Sequence, residues 1–111
     1  MKKVQVIINE QHTLLPEQKQ ILHRVFSNYE ELKVPSDGWD LKTIKEKSLA
    51  LASTSETVVF ASPIPAMIKI LAGHESDNFS VFVFHNDKRE KKELPNGKII
   101  SVTAQTGWQL V

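Results

Sequence analysis

Three short polar clusters in this sequence each follow a run of apolar residues. Asn9–Thr13 follows KVQVII, Ser62–Ala66 follows TVVFA, and His85–Arg89 follows FSVFVF. An imidazole titrates near neutral pH, so His12 in the first cluster is the candidate proton carrier. Surface turns are polar in most proteins, so an ordinary loop is the alternative interpretation of each cluster.

The third cluster combines one imidazole with two cations. His85 directly follows the apolar run, and Lys88 and Arg89 come shortly after it. Such a set suits a phosphodiester or another acidic group, because ammonium and guanidinium groups donate charge-assisted hydrogen bonds to oxyanions. Lys91 and Lys92 beyond it are expected to be solvated and to protect a strand edge from aggregation.

Ser62 occupies the turn between an apolar strand and an apolar helix. Its hydroxyl can cap the helix, with Pro63 and Pro65 in or before the first turn. The same turn can bind an anion, since a helix N-terminus presents free N–H groups and a partial positive charge. The two prolines lack N–H groups and the turn lacks glycine, which weakens the anion-binding interpretation without excluding it.

The composition excludes several kinds of site. The 111 residues include no cysteine, so disulfides, thiolate metal sites and cysteine nucleophiles are excluded. No histidine spacing fits a metal site on one helix, and no Walker, GxGxxG or GxSxG motif occurs, so neither a metal nor a cofactor is expected. The net charge of +1 predicts neither direct DNA binding nor membrane attraction. Without a signal-peptide pattern or a membrane-spanning run, a cytoplasmic protein is expected.

The apolar pattern predicts strands that alternate with helices. Strands are expected at residues 3–8, 30–34, 57–61 and 79–84, with helices at 16–26, 41–52 and 63–72 between them. Asp40 is expected to cap the second helix, on which Lys47 faces water. Asn96 and Gly97 predict a hairpin that pairs residues 88–94 with 98–102. The last segment, 107–111, is either a short strand or a docked tail.

This order predicts one Rossmann-like domain over residues 1–111, with residues 88–111 as a hairpin and C-terminal extension. The expected sheet is mostly parallel, with strand order 2-1-3-4, helices on both faces and the hairpin antiparallel on the far edge. The chain changes direction between the first and third strands, which places a crevice between Asn9–Thr13 and Ser62–Ala66. Trp39 and Trp108 are each either packing residues or platforms for a base.

Roughly the first 85 residues resemble a known class of proteins in their order of elements. An apolar strand is followed by a polar turn containing His12 and then LLPEQKQIL, and a later buried strand is followed by SPIPA and a helix. These features resemble small CRISPR-accessory proteins with a minimal Rossmann-like domain. Those proteins are related to domains that bind cyclic oligoadenylate second messengers, and some are ring nucleases. The charged hairpin from Lys88 onward has no counterpart in the resemblance.

The resemblance implies a small nucleotide ligand and a homodimer. In a bound ring, a ribose 2′-hydroxyl would attack the neighbouring phosphorus without a metal, with a histidine as base and a cation for the charge. The candidate catalytic residues are then His12, His85 and Arg89, and the candidate ligand-binding residues are Asn9, Gln11, Thr13, Ser62, Ile64, Ala66, Met67 and Lys88. The alternative is a non-enzymatic module that binds a protein partner through the hairpin edge or an apolar helix face.

Overall fold

The computed structural model describes residues 3–111, in which strands and helices alternate as expected. The strands are β1 (Lys3–Asn9), β2 (Glu30–Val34), β3 (Ser55–Phe60), β4 (Ser80–His85), β5 (Arg89–Glu93), β6 (Ile99–Thr103) and β7 (Gln109–Leu110). The helices are α1 (Pro16–Phe26), α2 (Leu41–Thr54) and α3 (Pro65–Ala72). Within residues 3–111, none of the helices has the length and apolar character needed to cross a bilayer.

A five-stranded sheet forms the centre of the domain, with the order β2-β1-β3-β4-β7. β1 pairs in parallel with β2 and β3, and β3 pairs in parallel with β4, which confirms the expected 2-1-3-4 arrangement of a small Rossmann-like fold. β3 lies in the middle, and its residues Val58, Val59 and Phe60 are fully buried. A continuous apolar strand belongs in this position because both of its faces are covered.

The sheet separates two apolar cores. On one face, α2 and α3 cover β1 and β3, and Met67 and Leu71 of α3 are fully buried there. On the other face, α1 contributes Ile21 and Leu22. Helices therefore lie on both faces, as predicted. β4 is less buried than expected, since among its residues only Phe84 is buried, and its outer neighbour is the short strand β7.

The predicted hairpin forms, but away from the edge of the main sheet. β5 and β6 pair antiparallel, with Arg89 opposite Thr103 and Glu93 opposite Ile99, and Gly97 has a φ of 84° in the connecting turn. The two strands make a separate sheet, and the position beside β4 belongs to β7. The expected position of the hairpin is therefore wrong. All residues of β5 are charged and exposed, so this strand has no apolar side chain with which to cover the domain.

The C-terminal tail docks at the place expected for the hairpin. β7 pairs antiparallel with the end of β4, and the Trp108 ring packs edge-on against Phe84 with centroids 6.1 Å apart. One carboxylate oxygen of Glu17 in α1 accepts hydrogen bonds from the N–H groups of Gly107 and Trp108, at 2.8 and 2.6 Å. The last segment is thus both a short strand and a docked tail, and Trp108 is a packing residue.

Asp40 caps α2, as the sequence predicts. Its carboxylate accepts a hydrogen bond from the N–H of Thr43 at 2.8 Å. Hydrogen bonds from the side chain and then the backbone of Thr43 hold the pKa of Asp40 below its ordinary value of 3.8. The ionised carboxylate therefore stabilises the folded protein at neutral pH, and this contribution is lost as the pH falls through the lowered pKa.

Replacing Gly97 with Val is expected to loosen the hairpin by about 1 kcal/mol or more, because a branched L-residue is strained at positive φ. A Cβ at Gly97 would meet no atom within 4 Å, so the cost comes from the backbone and not from crowding. The N–H of Leu94, which donates to the Lys98 oxygen, should exchange its hydrogen about fivefold faster or more. Gly97→Asn is the control, because Asn tolerates positive φ. Equal exchange rates in the two variants would contradict the prediction.

Candidate functional site

The register of the parallel strands brings the carboxyl ends of β1, β3 and β4 together at one end of the sheet, the carboxyl edge. Phe60 of β3 is in register with Ile7 of β1 and with Val83 of β4. Each polar cluster predicted from the sequence begins two residues beyond that row, at Asn9, Ser62 and His85. Open α/β sheets bind ligands at the carboxyl ends of their strands, at the point where the strand order reverses. This edge is therefore the candidate site.

Ser62 joins two of the three clusters. Its hydroxyl oxygen accepts a hydrogen bond from the backbone N–H of Asn9 at 2.9 Å and lies 3.2 Å from Nδ1 of His12. Ser62 caps no helix, because α3 begins at Pro65 with Ile64 as its N-cap residue. The capping interpretation is therefore wrong: the hydroxyl is engaged by the turn that follows β1.

Hydrogen bonds within the first cluster fix its shape. The side-chain oxygen of Asn9 accepts from the N–H of Gln11, and its backbone oxygen accepts from the N–H of His12, both at 2.9 Å. The carboxylate of Glu10 accepts from the N–H of Ser36, at 2.8 Å, and so ties this turn to the one after β2. The exposed side chains among the predicted site residues of this cluster are those of Gln11, His12 and Thr13.

The first turn of α3 offers backbone donors to a ligand. The first intrahelical hydrogen bond runs from the N–H of Ile68 to the oxygen of Ile64. The N–H groups of Ala66 and Met67 precede it and have no intrahelical acceptor. Met67 is fully buried as a whole residue and presents no surface to a ligand, whereas Ala66 is exposed. Ile64 is half-buried and packs against the same core.

The third cluster is held by hydrogen bonds of its own. Asn86 is buried, donates to two backbone oxygens of the segment after β6, and accepts from the N–H of Lys88. The guanidinium of Arg89 donates to the backbone oxygen of Asn86 at 3.1 Å. His85 is exposed at the end of β4, where it pairs with β7. Across residues 3–111, no hydrogen bond or ion pair links this cluster to the first two, although all three follow strands that end at the same end of the sheet.

A cavity of about 270 Å³ opens beside the contact between Asn9 and Ser62. The turn after β2 supplies much of its wall, including Ser36, Asp37 and Trp39, and the segment before α3 adds Pro63 and Ile64. The site residues predicted from the sequence include none from this turn, although Trp39 is predicted to be either a packing residue or a platform for a base. A signal was available, because β2 was predicted as the neighbour of β1, and the residues that follow a parallel neighbour end at the same edge.

Trp39 lines this cavity and also packs against the core beneath α2 and α3. The ammonium group of Lys47 lies 5.0 Å from the centroid of the Trp39 ring, a distance at which a cation and an indole attract each other. Lys47 is half-buried, which corrects the expectation that it faces water. The indole is therefore held in place by contacts with the core and with a cation.

A larger cleft of about 570 Å³ lies at the opposite edge of the sheet, where Val4, Phe26 and Tyr29 line it. Burial, and the negative charge of Glu31, raise the pKa of Tyr29 above its ordinary value of 10.0. This cleft lies at the amino ends of the strands, whereas ligands of open parallel sheets bind at the carboxyl ends. The carboxyl edge is therefore the stronger candidate.

Comparison with known proteins found no matching family model, no matching curated protein and no matching solved structure.

Replacing Ser62 with Ala is expected to destabilise the protein by about 1 kcal/mol or more, because the half-buried N–H of Asn9 loses its acceptor. The free energy of unfolding from urea denaturation is the measurement. Ser53→Ala is the matched control, since the exposed Ser53 hydroxyl donates to the Leu49 carbonyl of its own helix, and its effect should stay within about 0.5 kcal/mol. Equal losses in the two variants would show that the Ser62 contact does not hold the two turns together.

Proposed function

We propose that this protein binds a cyclic oligonucleotide second messenger at the carboxyl edge of its sheet, as a homodimer that acts in CRISPR-linked defence in the cytoplasm. The observation that supports this most is the Ser62 contact with Asn9 and His12, beside a cavity at the switch point. Rossmann-like sheets bind nucleotides at this position. The resemblance to small CRISPR-accessory proteins supplies the ligand class.

The groups around Ser62 suit a phosphodiester. The N–H of the exposed residue Ala66 lies at the positive end of the α3 dipole. The imidazole of His12 lies beside Ser62, and the two cations of the third cluster follow the neighbouring strand. The net charge of the whole chain is only +1, so attraction for a phosphodiester must come from local groups such as these, and no direct DNA binding is proposed.

The size of the cavity favours a ligand that is shared between two protomers. About 270 Å³ lies just below the range of about 300–1,000 Å³ that encloses drug-sized ligands. One protomer therefore encloses only part of a ring of nucleotides. A ring of identical units with an even number of nucleotides has a twofold axis, and so does a dimer that brings two copies of the same edge together.

The arrangement also suits cleavage of the ring without a metal. Nδ1 of His12 faces Ser62, so Nε2 is the nitrogen that can meet a ligand. As base, Nε2 takes the proton of a ribose 2′-hydroxyl, whose oxygen bonds to the adjacent phosphorus while the bond from phosphorus to the 5′-oxygen breaks. The 5′-oxygen takes up a proton, and a 2′,3′-cyclic phosphate remains. His85 is the second candidate base, and Arg89 is the candidate cation for the developing charge.

The second candidate function is a protein-interaction module, and the hairpin favours it. β5 and β6 form a sheet that is separate from the main one, with Ile99 and Ile100 exposed. Strand edges that are left unpaired can accept a strand from a partner. This function needs no nucleotide, so a ligand screen separates the two candidates.

Cyclic oligoadenylates of defined ring size should raise the melting temperature of the protein, because a ligand that binds only the folded state stabilises it. Linear oligoadenylates of the same length are the control and should give a smaller shift. Size-exclusion chromatography with light scattering should report two protomers per bound ring. The absence of any shift with every ring would favour the interaction module instead.

Arg89→Ala is expected to weaken ring binding about tenfold or more, because it removes a charge-assisted contact to phosphate. His12→Ala should slow ring opening by about a hundredfold or more if the ring is cleaved, since general bases contribute at least that much. Lys19→Ala is the control, because Lys19 is exposed on α1, on the other side of the sheet from α3. Equal effects of Arg89→Ala and Lys19→Ala in calorimetric titrations would contradict the assignment of Arg89.

A further inference from the structure

The cavity at the switch point carries negative charge and no positive charge. Within residues 3–111, Asp37 is the one charged residue among those that line it, and the ammonium group of Lys47 is bound over the ring of Trp39. A phosphate placed inside this cavity would face a carboxylate without a compensating cation, which is unfavourable. The lining of the cavity therefore favours an uncharged part of a ligand.

The position of Asp37 is set by the turn that carries it. The N–H of Gly38 donates to the oxygen of Pro35 at 2.8 Å, and Gly38 has a φ of 80°, which an L side chain would resist. The N–H of Ser36 is bound by the carboxylate of Glu10 at 2.8 Å. Asp37 thus lies between two anchored residues at the rim of the cavity.

An ionised carboxylate only accepts hydrogen bonds, so its natural partners are hydroxyl or amino donors. In a nucleotide these donors are the ribose hydroxyls and the amino group of the base, while the phosphates only accept. A carboxylate that follows the second strand of a Rossmann-like sheet stands where a ribose hydroxyl can meet it. Trp39 adds an aromatic wall, and every base has a face that can stack on an indole.

We propose that this cavity is a nucleoside subsite: Asp37 accepts a hydrogen bond from a ribose 2′-hydroxyl, Trp39 contacts the base, and the phosphates stay outside, toward His12 and the start of α3. This inference rests on the proposed function. It assigns the nucleoside part of the ligand to the cavity and the phosphates to the groups near His12 and the start of α3. The ribose held by Asp37 then belongs to a different nucleotide from the one whose 2′-hydroxyl faces His12. The volume of about 270 Å³ fits one nucleoside-sized portion for each protomer.

The first test compares a cyclic oligoadenylate with the ring of the same size made from 2′-deoxyadenylate. The wild-type protein should bind the ribonucleotide ring about tenfold more tightly or more, because a hydrogen bond to a charged group is lost with the 2′-hydroxyl. Asp37→Asn should reduce this preference, because its neutral amide oxygen accepts a weaker hydrogen bond from the 2′-hydroxyl than a carboxylate does. Asp77→Asn is the matched control, since Asp77 is exposed at the opposite edge of the sheet, and it should keep the wild-type preference.

The second test uses tryptophan fluorescence. Trp39 and Trp108 are the two tryptophans of the chain, so Trp108→Phe leaves Trp39 as the reporter. Adenosine, which carries no phosphate, should quench Trp39 in this variant, and Asp37→Asn in the same background should weaken the titration about tenfold. Wild-type titrations followed by calorimetry guard against a loss of folding in the Trp108 variant.

The outcomes separate the subsite from the proposed function. Rings that bind without a ribose preference and without quenching of Trp39 would overturn the subsite and leave ring binding intact. Adenosine that quenches Trp39 while no ring binds would support the subsite and overturn the proposed function. The absence of binding by both adenosine and the rings would overturn both.

Discussion

The burial of β3 on both faces and along both edges is the constraint on which the rest of the structure depends. Val58, Val59 and Phe60 are fully buried, so their backbone polar groups cannot bond to water. They are paired instead, by β1 on one side and β4 on the other, while helices cover the two faces. Because the pairing is parallel on both sides, the carboxyl ends of β1, β3 and β4 lie at the same end of the sheet. The polar clusters follow these strand ends.

The contact made by Ser62 is a continuation of that pairing. The N–H groups of Ala61 and Ser62 both donate to the oxygen of Ile7, at 2.9 and 3.1 Å, and the Ser62 hydroxyl then accepts from Asn9. Beyond the end of β3, the side chain of Ser62 therefore accepts the hydrogen bond that a backbone oxygen would accept if the strand continued. The side chain of Ser62 holds His12 at the carboxyl end of the sheet. At this place, rigid strands are combined with access to solvent. This combination is what a ligand-binding edge requires.

The hairpin and the C-terminal tail are two candidates for the position beside β4, and packing selects the tail. The hairpin carries only charged side chains on β5, whereas the tail brings Trp108 onto Phe84 and two N–H groups onto the carboxylate of Glu17. Burial of aromatic surface with its polar groups satisfied favours the tail. The hairpin is left with unpaired edges, and buried Asn86 anchors its base through hydrogen bonds to the segment that follows β6.

The sequence alone determined the elements and their order, because these depend on local patterns. The apolar runs before Asn9, Ser62 and His85 specified parallel strands, Asp40 specified the start of α2, and Gly97 specified the hairpin turn through its positive φ. These signals act over a few residues, so they can be read without knowing the neighbours. The crevice between the first two polar clusters followed from the strand order.

Only the tertiary structure decided which side chains from different elements contact each other. Ser62 reads as a helix cap because its neighbours in sequence are prolines and a helix, yet its hydroxyl bonds to Asn9, 53 positions away. Asp37 reads as part of an ordinary turn, and the two interpretations of Trp39 stay open, until β2 is placed in register with β1. The tail pairs with β4 in place of the hairpin for the same reason. Segments that are distant in the chain compete for this position, and a local sequence pattern does not contain the energies of their contacts.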